Sequence, residues 1–198
     1  MTVDPPLLID FAGGAVGYRL RQREGRGQAL PKAVGMAKGA APSVVDATAG
    51  MGRDGFLLAS LGATVTLIER NGAVYDALAD AMERARKSSD ELAGIIARMT
   101  LLNGDSRELL AGLSPEVVLV DPMHPPRGKS ALVKKEMRVL RELVGDDPDQ
   151  RELIEAALRS ARQRVVLKWP LRAAPLDGLR KPSHQILGKT TRYDVFMV

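Results

Sequence analysis

Two stretches of this chain carry residues whose types and spacing can do chemistry. In Val44-Val45-Asp46-Ala47-Thr48-Ala49-Gly50-Met51-Gly52-Arg53-Asp54-Gly55, an apolar run ends in a carboxylate, and Gly50, Gly52 and Gly55 follow at G-x-G-x-x-G spacing. Glycines there let the backbone turn tightly and approach a ligand at a helix N-terminus. The string alone suits NAD, with pyrophosphate on that N-terminus and Glu69, closing the next strand, on ribose hydroxyls. Two details favour S-adenosylmethionine. Asp46, four residues before Gly50, can reach the ammonium of a methionine moiety and would be poorly placed beside a pyrophosphate. Arg53 and Asp54 directly after the loop complement a zwitterion.

The second stretch is Val117-Val118-Leu119-Val120-Asp121-Pro122-Met123-His124-Pro125-Pro126, an apolar strand ending in a carboxylate and a proline-stiffened turn. Methylation of an exocyclic amine needs acceptors aimed at the NH₂, because drawing on its protons restores a lone pair otherwise delocalised into the ring. Asp121 and the Pro122 carbonyl can supply two. The residue two places after Pro122, His124, is then placed to stack on an extruded base. The plainer alternative is a rigid turn with a solvent-facing imidazole.

Other candidates have equally plain alternatives. Asp46 and Asp54 can serve as turn and helix-start acids, and Asp105 and Ser106, after the third strand, can meet adenine or cap the helix that follows. Lys168-Trp169-Pro170 ends a strand near the same crevice edge, where Trp169 can stack on a base or pack internally. No metal site is expected, since His124 and His184 are two isolated histidines.

The elements that must position these residues alternate. Short β-branched runs separate helix-period segments, which predicts an α/β fold with a mainly parallel sheet. Strands are expected at 43–46, 64–69, 99–103, 116–120 and 164–168, with a closing antiparallel hairpin from 184–187 and 192–198. Helices are expected at 30–38, from Arg53 with Phe56, Leu57, Leu58 and Leu61 buried, at 73–87, 90–98, 107–113, 129–144 and 149–163. Residues 1–41, glycine-broken and charged by Arg19, Arg21, Arg23 and Arg26, read as a basic lead-in packed on the core. Residues 42–198 read as the catalytic domain.

Composition bounds the rest. With 198 residues, 45% hydrophobic and 27% charged, the chain is of single-domain size and its composition excludes disorder. Without cysteine there is no disulfide partner, thiolate zinc cluster or cysteine nucleophile. No apolar run approaches the ~18 residues of a membrane span, so no membrane partner and a cytoplasmic location are expected. A net charge of +5 favours a polyanionic partner.

The segments DATAGMGRDGFLLASLG, LIERN and VDPMHPPRGKSALVKKEMRVL with LVGDD resemble the RsmJ family of S-adenosylmethionine-dependent methyltransferases, which form N2-methylguanosine in small-subunit (16S) ribosomal RNA. The likeness runs from about Ile9 to the terminal RYDVF, and Lys129 to Arg138 (KSALVKKEMR) is its most specific stretch. It implies a Rossmann-like class I methyltransferase fold, with a mainly parallel seven-stranded sheet, a C-terminal antiparallel hairpin and helices on both faces. It also implies cofactor contacts at Arg53 and Asp54, Glu69 and Arg70, Asp105 and Ser106, and Asp121. The family usually carries a further N-terminal region, and an aromatic where His124 stands. Lys129, Lys134, Lys135 and Arg138 follow the Asp-Pro loop at spacings that put several on one helical face, as RNA phosphate contacts or as a solvated face. The expected partner is ribosomal RNA or an assembled small subunit. An NAD-dependent oxidoreductase and a non-catalytic RNA-binding protein of the same fold are the alternatives.

Overall fold

The computed structural model describes residues 7–13, 25–37, 39–122 and 149–198. Their strands are β1 (Ser43–Asp46), β2 (Thr64–Glu69), β3 (Met99–Asn103), β4 (Val117–Val120), β5 (Arg164–Pro170), β6 (His184–Leu187) and β7 (Thr191–Met197). They form one seven-stranded sheet of order β3-β2-β1-β4-β5-β7-β6. The first five are parallel, and β7 runs antiparallel between β5 and β6. The order reverses direction between β1 and β4, and in such sheets ligands bind outside the carboxyl ends of the strands at that point. Asp46 and Asp121 lie at that point, with Glu69 and Asp105 farther along the same carboxyl edge.

The helices are α1 (Ala29–Ala33), α2 (Arg53–Ser60), α3 (Gly72–Ser88), α4 (Asp90–Ile96), α5 (Ser106–Leu109) and α6 (Gln150–Ser160), with a 3-10 turn at Leu110–Gly112. The alternation of elements is as expected from the sequence, with shifted ends. The helix expected at 30–38 stops at Ala33, because Gly35 turns left-handed at φ 92°. α3 begins at Gly72 because the Asn71 side chain caps it, accepting from Val74 N. β5 runs two residues past Lys168, its rungs continuing to Pro170 opposite Thr191. The helix expected at 129–144 lies outside the described residues.

β4 is apolar and buried along its whole length, and β1 and β5 carry buried apolar runs at residues 44–45 and 165–167, as parallel strands covered on both faces do. One core layer packs α2, α3 and α4 on the sheet together with Ile9 and Phe11 from the N-terminal segment. Phe11 stacks on Phe56 with ring centroids 4.7 Å apart. That extra cover buries α2 from Gly55 through Ala59, a broader face than the expected stripe, while Leu61 is only partly buried. The opposite layer packs α6, Leu110 and Trp169 over β4, β5 and Phe196.

Arg26 is not a free surface cation. Its guanidinium donates to the carbonyls of Met36, Ala40 and Leu61, and so ties the lead-in to the end of α2. Arg19, Arg21 and Arg23 lie outside the described residues.

Candidate active site

The loop between β1 and α2 is fixed by its neighbours on both sides. Ala47 N donates to Leu119 O at 2.9 Å and Ala49 N to Ile68 O at 3.0 Å, so the turn is strung between β4 and β2. Gly50 and Gly52 adopt positive φ, 51° and 66°, which favours glycine at each. Gly55 serves packing: a Cβ there would lie 2.4 Å from Leu67 Cδ2, so its absence lets α2 sit close on β2. The glycine string is therefore accounted for by turning and close approach, with no pyrophosphate required.

Four acids surround this loop. Asp46, 3% exposed, accepts from Thr48 N at 3.2 Å. Burial, then the nearby Asp54, push its carboxyl up to about 7, with Asp121 adding to the rise and Thr48 and Lys168 opposing it. Glu69 accepts from Gly50 N at 2.9 Å and from Asn71 N at 2.8 Å, which ties the second strand's end to the glycine turn. Burial raises its carboxyl, against those two N–H donors and Arg70.

Asp121 and Asp54 meet through a lysine. The ammonium of Lys168 donates to Asp121 Oδ2 at 2.6 Å and to Asp54 Oδ2 at 2.7 Å. In the β4–β5 register Val120 lies opposite Leu167, so Asp121, just past the end of β4, stands beside Lys168, which is still within β5. Burial works against the Lys168 charge, but the two carboxylates outweigh it and hold the ammonium above its ordinary value. Desolvation raises Asp121, Lys168 lowers it, and Asp54 raises it. Asp121 N also donates to Thr48 Oγ1 at 2.7 Å, so the Asp-Pro turn is latched to the glycine loop.

Lys168 and Thr48 are site residues to which the sequence reading gave no role, although it placed Lys168-Trp169-Pro170 at the crevice edge. The available signal was a charged side chain breaking the apolar run after Arg164, near the carboxyl end of a parallel strand.

At the crevice's other end, Asp105 caps α5 through Arg107 N and pairs with the Arg107 guanidinium at 2.6 Å, which holds its carboxyl low. Arg107 and Arg70 both reach Asp149 at 3.1 Å, just ahead of α6. Ser106, buried, donates to Ala47 O at 2.7 Å and so also braces the first loop. Of the two roles open to Trp169, the structure has packing: it is buried, and its Nε1 donates to Ala174 O at 2.8 Å. Arg53 is half-buried at the start of α2, and Pro122 is buried directly after Asp121. His124, Lys129, Lys134, Lys135 and Arg138 lie outside the described residues.

The donor set suits a cationic nucleoside better than an anionic one. Lys168 pairs with Asp54 and Asp121, and burial together with Asp54 pushes the nearby Asp46 carboxyl up, so the cluster carries an excess of acids. A sulfonium or ammonium would relieve that excess, whereas a pyrophosphate would add to it.

Comparison with known proteins agrees. A family model described as SAM-dependent methyltransferase matches residues 2–198. A curated protein of Agrobacterium fabrum named ribosomal RNA small subunit methyltransferase J is 68% identical over 96% of this chain and 92% of its own length. One of the same name from Brucella anthropi is 65% identical over 96% of this chain and 93% of its own. The chain belongs to the ribosomal RNA small subunit methyltransferase J family. A crystal structure of a SAM-dependent methyltransferase from Neisseria gonorrhoeae, 34% identical, superposes with a TM-score of 0.71, covering 96% of this chain and 72% of that one. As a member of this family, the chain is an S-adenosylmethionine-dependent methyltransferase with the Rossmann-like class I fold, and the nicotinamide reading of the glycine string falls away.

Proposed function

We propose that the chain methylates the exocyclic N2 amine of a guanosine in small-subunit ribosomal RNA. The observation that carries this reading is the Asp121 carboxylate. It stands at the end of β4, partly exposed, latched to the glycine loop through Thr48 and braced by Lys168. The names of its relatives supply the substrate class.

S-adenosylmethionine supplies an electrophilic methyl group on a sulfonium. Asp46 and Asp54 hold the ammonium of its methionine moiety, with Gly50, Gly52 and Arg53 lining the turn. Glu69 and Arg70 serve the ribose, and Asp105 and Ser106 the adenine. Asp121 Oδ1 and the Pro122 carbonyl accept from the guanine NH₂, drawing on its protons so that the nitrogen lone pair can attack directly. No base is needed beforehand, because the amine loses its proton after transfer, toward Asp121. Catalysis then rests on positioning and exclusion of water. His124 stacks on the base, and Lys129, Lys134, Lys135 and Arg138 meet backbone phosphates. Such a substrate places the enzyme in the cytoplasm.

The test is transfer of labelled methyl to unmodified small-subunit RNA and to assembled small subunits, with nucleoside analysis of the product. N2-methylguanosine that vanishes with Asp121→Ala is the expected result. Methyl on another nucleotide, or cofactor binding with no transfer to either substrate, would overturn the proposal.

A further inference from the structure

Lys168 joins side chains that approach the site from opposite sides. Asp121 comes from the end of β4, beside it in the sheet, and Asp54 from the first turn of α2, beyond the glycine loop. Stability alone is a poor reason for such an arrangement. The bridge is part-buried, with Lys168 24% and Asp121 37% exposed, and an ion pair open to solvent contributes little to stability. A lysine does offer what two carboxylates from separate elements need: a compact charge with three donors that can point in different directions.

We propose that Lys168 is a positioning residue for methyl transfer: by bridging Asp54 and Asp121 it sets the Asp121 carboxylate against the cofactor loop, leaving Oδ1 for the substrate amine. The inference rests on the reading of Asp121 as the amine's acceptor.

The surrounding charges give the bridge a second consequence. Lys168 is faced by Asp46 from β1, Asp54 from α2 and Asp121 after β4, while Tyr193 lies opposite it on β7. Desolvation and Asp54 both push the Asp121 carboxyl up, and Lys168 opposes them. Without the ammonium, Asp121 takes up a proton at a higher pH. One of its oxygens then carries a hydrogen and no longer accepts in the same way. The acid limb of the rate profile should therefore move upward in pH when Lys168 is removed.

The experiment compares single-turnover methyl transfer to unmodified small subunits for the wild type, Lys168→Met, Lys168→Arg and Asp121→Ala, from about pH 5.5 to about pH 9. Affinity for S-adenosylhomocysteine is measured alongside. Lys168→Met should lower the neutral-pH rate about 100-fold, the scale of a misplaced reacting group. It should shift the acid limb to higher pH, with any change in S-adenosylhomocysteine affinity through Asp54 well short of the loss in rate. Lys168→Arg should keep the limb in its wild-type place at an intermediate rate.

A methionine variant with wild-type rate and profile overturns the inference. So does one that loses cofactor affinity in step with rate while the limb stays put. If the methionine variant fails to fold, the arginine variant decides, because a shifted limb with the charge retained contradicts the bridge. An active Asp121→Ala, which has no side-chain acceptor, overturns the acceptor reading and this inference together. An inactive Asp121→Ala beside an unimpaired Lys168→Met overturns this inference alone.

Discussion

Glu69 Oε2 accepts a hydrogen bond from Gly50 N at 2.9 Å, so the acid that closes β2 also holds the first glycine of the cofactor turn. Its other oxygen takes Asn71 N at 2.8 Å, at the cap of α3. Both carboxylate oxygens thus meet backbone donors, and a glutamine would set its NH₂ against one of the two N–H groups. Glu69→Gln should cost about 1–3 kcal/mol of stability, the penalty of one mispaired buried donor, and should weaken S-adenosylhomocysteine binding. Urea unfolding and calorimetry check this. An unchanged unfolding midpoint would show that the strands alone hold the turn.

Asp46 makes stability depend on pH with a definite sign. Its carboxyl, ordinarily at 3.8, stands at about 7 in the folded protein, chiefly through burial and then through Asp54. Between those values the folded state binds more protons than the unfolded one, so this contribution is complete at low pH and is lost as pH rises through the window. Its ceiling is about 4 kcal/mol at ~1.4 kcal/mol per pKa unit. Asp46→Asn keeps an oxygen for Thr48 N and removes the titration. The stability gap between wild type and variant should widen in the variant's favour from about pH 5 to about pH 8. Parallel stability curves would contradict the burial argument.

Gly55 separates packing from ligand contact within the glycine string. An alanine methyl there meets Leu67 Cδ2 at 2.4 Å and Val65 Cγ1 at 3.3 Å, both in the sheet beneath α2. Overpacking of this kind costs about 1–3 kcal/mol. Gly55→Ala should therefore lower the unfolding midpoint clearly, with loss of cofactor affinity only as far as α2 is displaced. Full stability with abolished binding would point instead to direct ligand contact at this position.

Arg192 anchors the chain just beyond β5. It is 5% exposed, and its Nε pairs with both oxygens of Asp194 at 3.1 Å. Its Nη1 donates to the carbonyls of Pro170, Leu171 and Ala173. Arg192→Met leaves the buried Asp194 carboxylate without its cation, though Gln185 Nε2 still donates to it, and takes a donor from three carbonyls; it should cost about 3–5 kcal/mol. Chemical denaturation of Arg192→Met, and of the double variant with Asp194→Asn, measures it. The double variant should recover part of the loss, and failure to do so would place the cost in the carbonyl contacts.

Much of this protein was determined by local sequence. The apolar runs at β1, β2, β3 and β4 and the closing hairpin were legible because a strand's period and its bounding turns are written within a few residues. The acids at Asp46, Glu69 and Asp121 were legible as crevice residues because each ends a strand of one parallel sheet. Only the tertiary structure decided how they are coupled. Lys168 lies 114 residues from Asp54 and 47 from Asp121, and the strand order brings β5 beside β4. The same holds for Phe11 against Phe56 and for Arg26 on the carbonyl of Leu61. Each of these pairings depends on which elements become neighbours, and short-range periodicity carries no information about that. The chain's charge and glycine spacing alone left two cofactors open. The position of Asp46 already favoured a cationic nucleoside, and the assembled sheet adds the clustering of Asp46 with the Asp54–Lys168–Asp121 bridge.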